Sequence, residues 1–220
     1  MNNSDKYIAE YLLAQLNTFF PCQNCLKIDA NIINCVLPEV KDRYAHCASK
    51  IKSFNGEHEV DFFDVRKYPI FLYFLSHSIH QMQLDEGCRL KDRLYCMNKY
   101  LHGCSLFYKV NLPPVFFITY ASGVIFANAP YGDYFMAYQG VVIGSYRNYA
   151  PIIGKKVILM PNVIISGSSV VGDNVVVSTG VKVINKRIPD NKLVFQGPAN
   201  SLVFHDNDGS YFKEFFHSDN

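Results

Sequence analysis

Hydrophobic residues between positions 153 and 184 recur every six residues. The segment divides into IGKKVI, LMPNVI, ISGSSV, VGDNVV, VSTGVK and VI. The first position of every unit is aliphatic: Ile153, Leu159, Ile165, Val171, Val177 and Val183. The fifth positions are mostly aliphatic as well: Val157, Val163, Ser169, Val175 and Val181. Amphipathic helices repeat every three or four residues and half-buried strands every two. A period of six is typical of a hexapeptide β-helix, in which each unit forms one side of a triangular coil and its first residue points inward.

Shorter segments upstream of this run have the same character. Residues 140–144 (GVVIG) and 123–126 (GVIF) are similar to further rungs, and the insertions YGDYFMAY and SYRNYAP interrupt the period. Residues inserted into a solenoid leave it as loops or bulges, where chemistry is usually found. We therefore expect candidate functional residues on these insertions.

The first hundred or so residues have helical periodicity instead. Apolar residues three and four apart predict a helix over 4–17, which Ser4 can cap. A second helix is expected from residue 24 until Pro38 ends it, then a short helix over 39–54 and a loop over 55–64. The stretch 68–83 is apolar nearly all round, which predicts a buried helix. Residues 89–101 predict another helix, ended by Gly103.

These patterns together predict an α+β protein in three parts. A helical N-terminal domain covers residues 1–112, a left-handed parallel β-helix covers 113–200, and a C-terminal tail covers 201–220. The sequence VNLPP at 110–114 is an extended linker into the coil. We expect the last ten residues to be poorly ordered or packed on a neighbouring molecule.

Composition narrows the class of protein and of partner. Of 220 residues, 49% are hydrophobic and 18% charged, which indicates a folded chain rather than a disordered one. A net charge of +2 without a run of Lys and Arg gives no footprint for nucleic acid. The most apolar stretch, 68–79, is too short to span a bilayer, and the N-terminus lacks the features of a secretory signal. We expect a soluble, cytoplasmic protein without membrane insertion.

The seven cysteines all precede the periodic run. Cys22 and Cys25 form a C-x-x-C pair, but no second pair and no histidines follow at the spacing of a zinc finger. We therefore expect no metal site, and we interpret the cysteines as reduced, mostly buried thiols.

Three motifs resemble the serine O-acetyltransferase family, particularly members associated with surface-polysaccharide synthesis. YASGVIF at 120–126 is similar to the family's H-A-T-G-I-V-V rung, YGDYFMAYQGVVIG at 131–144 to its polysaccharide-type Y-x-x-Y-F-x-x-Y-Q segment, and 149–180 to the run around its R-H-P motif. The resemblance implies an acetyltransferase that uses acetyl-CoA as co-substrate and acts on a small hydroxyl or amine acceptor, an amino acid or sugar derivative.

The resemblance also implies two histidines, each with a nearby Asp, one acting as general base and the other binding the acceptor. This sequence has Tyr120 and Ala150 at the histidine positions, and Thr119 and Asn148 at the Asp positions. Tyrosine is a weak base at neutral pH and alanine is none. Either the acceptor is an amine, which needs less help, or another residue such as His102 supplies the base. Our candidate catalytic residues are Tyr120, His102 and Asn148; the alternative for His102 is a helix-end residue that bonds the last carbonyls.

Two further candidates lie in the insertions. Asp133 could supply a base or be a turn residue, and Arg147 could meet a phosphate or carboxylate or be solvated. In the resembled family the pantetheine arm of CoA lies between the coils of adjacent subunits and bonds mainly to backbone. The positions that match this groove are Gly144, Ser145, Pro161, Asn162, Ser178 and Thr179.

The resemblance implies a homotrimer about the coil axis, which the helical domain could pair into a dimer of trimers. Loss of all four proton-handling side chains leaves a second hypothesis open. The chain could be a non-catalytic descendant of the family that acts as a scaffold or binding protein.

Overall fold

The computed structural model describes residues 3–22, 25–83, 89–147 and 149–217. Helices come first and strands follow, which confirms the predicted fold class. The helices of the first part are α1 (Asn3–Phe19), α2 (Leu26–Ser49), α3 (Tyr68–Gln81) and α4 (Leu90–His102), with a 3-10 helix at Lys52–Phe54.

Pro38 does not end a helix, contrary to expectation. α2 continues through it, and Pro38 itself is exposed. A proline inside a helix loses one backbone hydrogen bond and crowds the preceding turn. Here the flanking residues Val36, Leu37 and Val40 are all buried in the same core. Burial of both halves of α2 outweighs the local cost, because helices in proteins are stabilised mainly by their packing.

α3 is the buried helix that the sequence predicts. Every residue from Tyr68 to Ile79 is buried, and α2 and α4 pack against it. The Tyr73 hydroxyl donates to the Val110 carbonyl at 2.7 Å and accepts from the Leu112 amide at 2.9 Å. Tyr73 thereby joins the helices to the chain that leads into the coil. Gly103, at φ 66°, ends α4 as predicted.

The strands wind into a three-sided parallel β-helix. Their bounds are β1 (Phe116–Ile118), β2 (Ile125–Phe126), β3 (Phe135–Ala137), β4 (Val142–Gly144), β5 (Ile152–Ile153), β6 (Ile158–Leu159), β7 (Ile164–Ser166), β8 (Val170–Val171), β9 (Val176–Val177), β10 (Lys182–Ile184), β11 (Arg187–Ile188), β12 (Lys192–Gln196) and β13 (Leu202–Asp206). Face A stacks β1, β3, β6, β9 and β12; face B stacks β2, β4, β7 and β10; face C stacks β5, β8 and β11. β13 pairs antiparallel with β12 after the last turn.

The predicted aliphatic column fills the interior of this coil. Leu159 aligns with Val177 on face A, Ile165 with Val183 on face B, and Ile153 with Val171 on face C. All six are at most 2% exposed. Full burial of one such side chain is worth about 1.5–3 kcal/mol. The six-residue period is therefore the pattern of the interior itself.

The outer surface of face A is covered by other parts of the same chain. Phe117 of β1 meets the ring of Phe54 edge-on at 5.5 Å. A short helix α5 (Ser210–Phe215) packs next to the 3-10 helix that carries Phe54, and Phe212 and Phe216 contact the Tyr134 ring at 5.2 and 5.5 Å. The C-terminal segment through residue 217 thus folds back on its own chain, contrary to expectation, because its aromatic side chains bury there. Residues 218–220 lie outside the described part.

The cysteines are not all reduced, which corrects the sequence-based expectation. Cys22 and Cys25 form a disulfide between α1 and α2, their Cα atoms 5.5 Å apart, as a C-x-x-C pair outside a helix can. Cys47 and Cys104 are buried free thiols. Within the described ranges, no His, Cys, Asp and Glu side chains gather into a group that could hold a metal. None of the described helices is both long and apolar enough to cross a membrane.

The inward orientation of the aliphatic column can be tested by comparing a column residue with the residue next to it in the chain. Ile153 is 2% exposed inside the coil, whereas Ile152, beside it on β5, is 48% exposed on the outside. We expect Ile153→Ala to lower the free energy of unfolding by about 2–5 kcal/mol, because it leaves a cavity, and Ile152→Ala by less than about 1 kcal/mol. Urea unfolding monitored by circular dichroism measures both, and equal losses would contradict an inward column.

Candidate functional site

Faces A and B meet along one edge of the coil, the A–B edge, whose turns stack by backbone hydrogen bonds. Its turn residues are Gly123, Gly140, Asn162 and Gly180. Their amides donate, at 2.9–3.0 Å, to the carbonyls of the turn before: Gly103, Ser122, Gln139 and Pro161. All four turn residues have positive φ, between 61° and 76°. Gly and Asn tolerate this left-handed conformation, which explains why they recur here.

Tyr120 stands on a bulge at the top of the A–B edge. Thr119 and Tyr138 hold equivalent places, since their amides donate to the carbonyls of Ala137 and Leu159. Three residues separate Thr119 from Gly123 in the first turn, but a single residue separates Tyr138 from Gly140 in the second. The first turn therefore carries two extra residues, and the Tyr120 side chain is 59% exposed.

Two buried polar atoms beside this bulge have no hydrogen-bond partner: Thr119 Oγ1 and Gln139 Oε1. His102 Nε2, at the end of α4, is a third among the described residues, and the other three belong to Asp29, Tyr44 and His80 in the helical part. Thr119 and Gln139 belong to the A–B edge, and His102 precedes Gly103, on whose carbonyl the Gly123 turn rests. Buried polar groups are nearly always paired, and an unpaired one costs about 1–3 kcal/mol. Thr119 and Gln139, in neighbouring turns of one edge, therefore offer two oxygens with which a bound ligand could form hydrogen bonds.

His102 is held among aromatic side chains of the helices. Its ring meets Tyr68 edge-on at 5.5 Å between ring centroids. Burial lowers the pKa of His102 to about 4, so the imidazole is neutral at physiological pH and is a weaker base than a free histidine. Its Nε2 bonds no backbone carbonyl. The alternative of a helix-end residue bonding the last carbonyls through this nitrogen is therefore not what the structure shows.

Faces B and C meet at a second edge of the coil, the B–C edge, where the turn after β4 projects outward. Gly144 is the last residue of β4 and aligns with Ser166, and Ser145 follows it, exposed. Tyr146 and Tyr149 then exchange backbone hydrogen bonds at 2.9 and 3.0 Å. The Arg147 guanidinium lies 5.3 Å from the centre of the Tyr146 ring. Asn148 lies outside the described residues.

The predicted site residues thus separate into two groups within one chain. Pro161 and Asn162, and in the next turn Ser178 and Thr179, stack on the A–B edge below Tyr120. Gly144, Ser145 and Ala150 lie on the B–C edge, with the width of face B between the groups. Asn162 closes tightly over Gly140, where an added Cβ would come within 2.2 Å of Asn162 Oδ1. Gly140 is therefore required for the edge to stack.

Two insertion residues have clear places. Asp133 Oδ1 accepts from the amides of Val115 and Tyr134, each at 3.0 Å, as a turn residue does. Gln139, by contrast, was not a candidate from the sequence, although it stands in the Y-Q pair of the 131–144 motif. Its unpaired amide oxygen is a property of the folded edge.

The low pKa of His102 has a consequence for stability. Between pH 6.5 and about 4 the unfolded chain binds more protons at this residue than the folded chain does. The contribution of neutral His102 is therefore complete above pH 6.5 and is lost as the pH falls toward 4. We expect the free energy of unfolding to decrease less between pH 7 and pH 4 in the His102→Gln variant than in the wild type. Urea unfolding at each pH measures both decreases. His58→Gln, at an exposed histidine, is the control, and parallel curves for wild type and His102→Gln would disprove the expectation.

No family model matches this chain, and no curated protein matches its sequence. Solved structures do match its fold. Serine acetyltransferase from Neisseria gonorrhoeae superposes with a TM-score of 0.74 at 16% identity, covering 97% of this chain and 84% of that one. Serine acetyltransferase isoform 3 from Entamoeba histolytica, in complex with cysteine, gives 0.61 at 15%, covering 94% and 76%.

A third structure is serine acetyltransferase from Brucella abortus in complex with coenzyme A. It superposes with a TM-score of 0.59 at 13% identity and covers 94% of this chain and 84% of that one. The likeness includes the helices as well as the coil, since it spans nearly the whole chain. This protein therefore has the fold of the serine acetyltransferases.

Proposed function

We propose that this chain is an acyl-CoA-dependent acetyltransferase that transfers the acetyl group of acetyl-CoA to a small acceptor, an amino acid or sugar derivative. The observation that carries the proposal is the two unpaired oxygens of Thr119 and Gln139 beside the exposed Tyr120 on the A–B edge. The fold supports it, because one of the matching structures is a complex with coenzyme A.

The geometry favours an amine over a hydroxyl as the acceptor. Acetyl transfer requires the acceptor atom to attack the thioester carbonyl and to lose a proton. A positioned general base typically contributes about 10²- to 10⁴-fold to such a step. Tyr120 is a poor base, and His102 is buried with its pKa lowered to about 4. A neutral amine attacks without prior deprotonation, so holding the two substrates together can supply most of the rate.

We place CoA along the A–B edge, against Pro161, Asn162, Ser178 and Thr179. Stacked turns expose backbone groups there, which suits a ligand that bonds mainly to backbone. Thr119 and Gln139 would then offer their unpaired oxygens to the acceptor end of the site.

The complete site would need a second copy of the chain, and we propose a homotrimer about the coil axis. Face B exposes a row of aliphatic side chains, with Ile125 at 47% exposure and Val142 and Ile164 half-buried beside it. A cyclic trimer brings unlike surfaces of neighbouring protomers together. The A–B edge of one coil would meet the B–C edge of the next, placing Tyr120 beside the turn that precedes Ala150.

A non-catalytic binding protein or scaffold is the second candidate. The observation in its favour is that Tyr120 and Ala150 stand where the resembled family has histidines. Such a protein would keep the trimer and could keep the groove, but would not turn over acetyl-CoA.

We expect acetyl-CoA to bind below millimolar concentration and to release CoA with amine acceptors faster than with their hydroxyl counterparts. Isothermal titration calorimetry measures binding, and a thiol-reactive dye measures released CoA. Thr179→Tyr should weaken binding by filling the edge, whereas Lys155→Tyr, at an exposed site between faces C and A, should not. Binding of acetyl-CoA without turnover would favour the non-catalytic scaffold. No binding at millimolar acetyl-CoA would contradict the proposed acetyltransferase.

Restoring both histidines is a further arm of this test. Tyr120→His with Ala150→His should raise transfer to hydroxyl acceptors by about 10²- to 10⁴-fold if the rest of the site is intact. If the variant binds acetyl-CoA but its rate of transfer to hydroxyl acceptors is unchanged, the reaction does not take place beside Tyr120 and Ala150.

The trimer is tested by mass. We expect a particle of three times the chain mass of 25.1 kDa in sedimentation or light scattering, or twice that for paired trimers. Ile125→Glu should dissociate it, because the charge would be buried at the interface. Phe63→Glu, at a side chain 83% exposed in the helical part, is the control. A monomer at all concentrations would contradict the shared site.

A further inference from the structure

A cleft of about 400 Å³ lies between the α1–α2 connection and α4, and three cysteines line it. Cys22 and Cys25 are joined as a disulfide, and Cys96 of α4 is a half-buried free thiol. This cleft lies in the helical part of the chain and shares no lining residue with the A–B edge. Its chemistry is therefore independent of acetyl transfer.

Two contacts hold the disulfide over the face of α4 that carries Cys96. Phe20, at the end of α1, stacks on Tyr100 with ring centroids 5.8 Å apart. Arg93 Nη2 donates to Asp29 Oδ2, in the first turn of α2, at 2.6 Å in a nearly buried ion pair. Arg93, Cys96 and Tyr100 are three and four residues apart on α4 and so share one face. Cys96 therefore lies on the face of α4 that carries both contacts and lines the same cleft as the disulfide.

The two sulfurs of the disulfide have different surroundings. Cys22 is partly exposed, whereas Cys25 is only 5% exposed and is the N-cap of α2, a helix of 24 residues. Cys22 is therefore the more accessible of the two residues to an incoming thiolate. The sulfur that departs is then Cys25, at the N-terminus of α2, where the helix dipole favours a thiolate. A stabilised leaving thiolate speeds thiol–disulfide exchange.

We propose that this cleft is a thiol–disulfide exchange centre that reacts with low-molecular-weight thiols. The thiolate of the small molecule bonds to Cys22 Sγ, the Cys22–Cys25 bond breaks, and its electron pair leaves on Cys25. The Cys96 thiolate then bonds to Cys22 Sγ and expels the small thiolate. The net change moves the disulfide from Cys22–Cys25 to Cys22–Cys96, with no electrons gained or lost overall.

The other described free thiols lie outside this chemistry. Cys47 and Cys104 are buried, and burial raises the pKa of each to about 12. Cys35 is exposed on α2 but does not line the cleft. Cys35 is therefore a matched control for simple thiol accessibility.

The first test traps the mixed disulfide in the unmodified chain. Oxidised protein is exposed briefly to reduced glutathione, quenched with N-ethylmaleimide in denaturant so that shielded thiols are also labelled, and mapped by peptide mass spectrometry. We expect glutathione on Cys22 and maleimide on Cys25, with at least about a ten-fold excess over the reverse labelling, because Cys25 is the shielded sulfur and the better leaving group. Glutathione mainly on Cys25, or a disulfide that does not react in the folded protein, would overturn the proposal.

The second test isolates Cys96. In Cys25→Ser treated with oxidised glutathione, the adduct on Cys22 should convert to a Cys22–Cys96 disulfide. Cys25→Ser with Cys96→Ser should retain the adduct, and Cys25→Ser with Cys35→Ser should behave as Cys25→Ser alone. Far-ultraviolet circular dichroism checks that each variant keeps its helices. A stable adduct in folded Cys25→Ser would exclude the role of Cys96. Neither test measures acetyl transfer, so failure here is distinct from failure of the proposed enzyme.

Discussion

The interaction on which this structure depends is the stacking of aliphatic side chains inside a narrow three-sided coil. No rung can bury its inward residues alone, because each contributes a single column residue to each face. Neighbouring rungs must therefore align, as Leu159 does with Val177 and Ile165 with Val183. Alignment of the interior also aligns the turns, so the edges of the coil are straight stacks of backbone groups. The candidate site is a consequence of that order.

The candidate site lies where the regular repeat of the coil is interrupted. The A–B edge is built from turns that Gly and Asn allow, and its regularity is broken at the top by two extra residues, Tyr120 and Ala121. Polar atoms left unpaired beside this bulge cost stability. Real proteins tolerate such costs mostly at functional sites. The A–B edge thus combines a hydrogen-bonded backbone with the unpaired side-chain oxygens of Thr119 and Gln139.

How far the sequence predicts this molecule depends on the range of the interaction involved. The six-residue period predicted the column, and the apolar character of 68–79 predicted a buried α3, because both patterns report burial directly. The prediction that a helix ends at Pro38 was wrong, because it used only the local preference of proline. The packing of α2 on both sides of Pro38 determines that the helix continues. The Cys22–Cys25 bond was missed although its C-x-x-C motif is visible, because the motif does not show whether the two thiols are oxidised. The folded C-terminal helix depends on aromatic contacts that no motif records. Unpaired atoms such as Gln139 Oε1 exist only after folding, and a sequence does not show them.

The reversal of direction at β13 bears on how the protein avoids uncontrolled growth. A parallel coil ends in a rung with free amides and carbonyls, which could accept another molecule's strand and propagate into a fibre. Here β13 turns back along the face A strand of that rung and pairs with all of β12, from Lys192 opposite Asp206 to Gln196 opposite Leu202. The outer residues of β13 are mostly exposed and include His205 and Asp206, and charge on an outermost strand discourages further pairing. At the opposite end the helices and Ser105, which bridges to Ile125, cover the first rung. The last rung of the solenoid therefore ends in an antiparallel strand on face A, whereas β10 and β11 are the outermost strands of faces B and C.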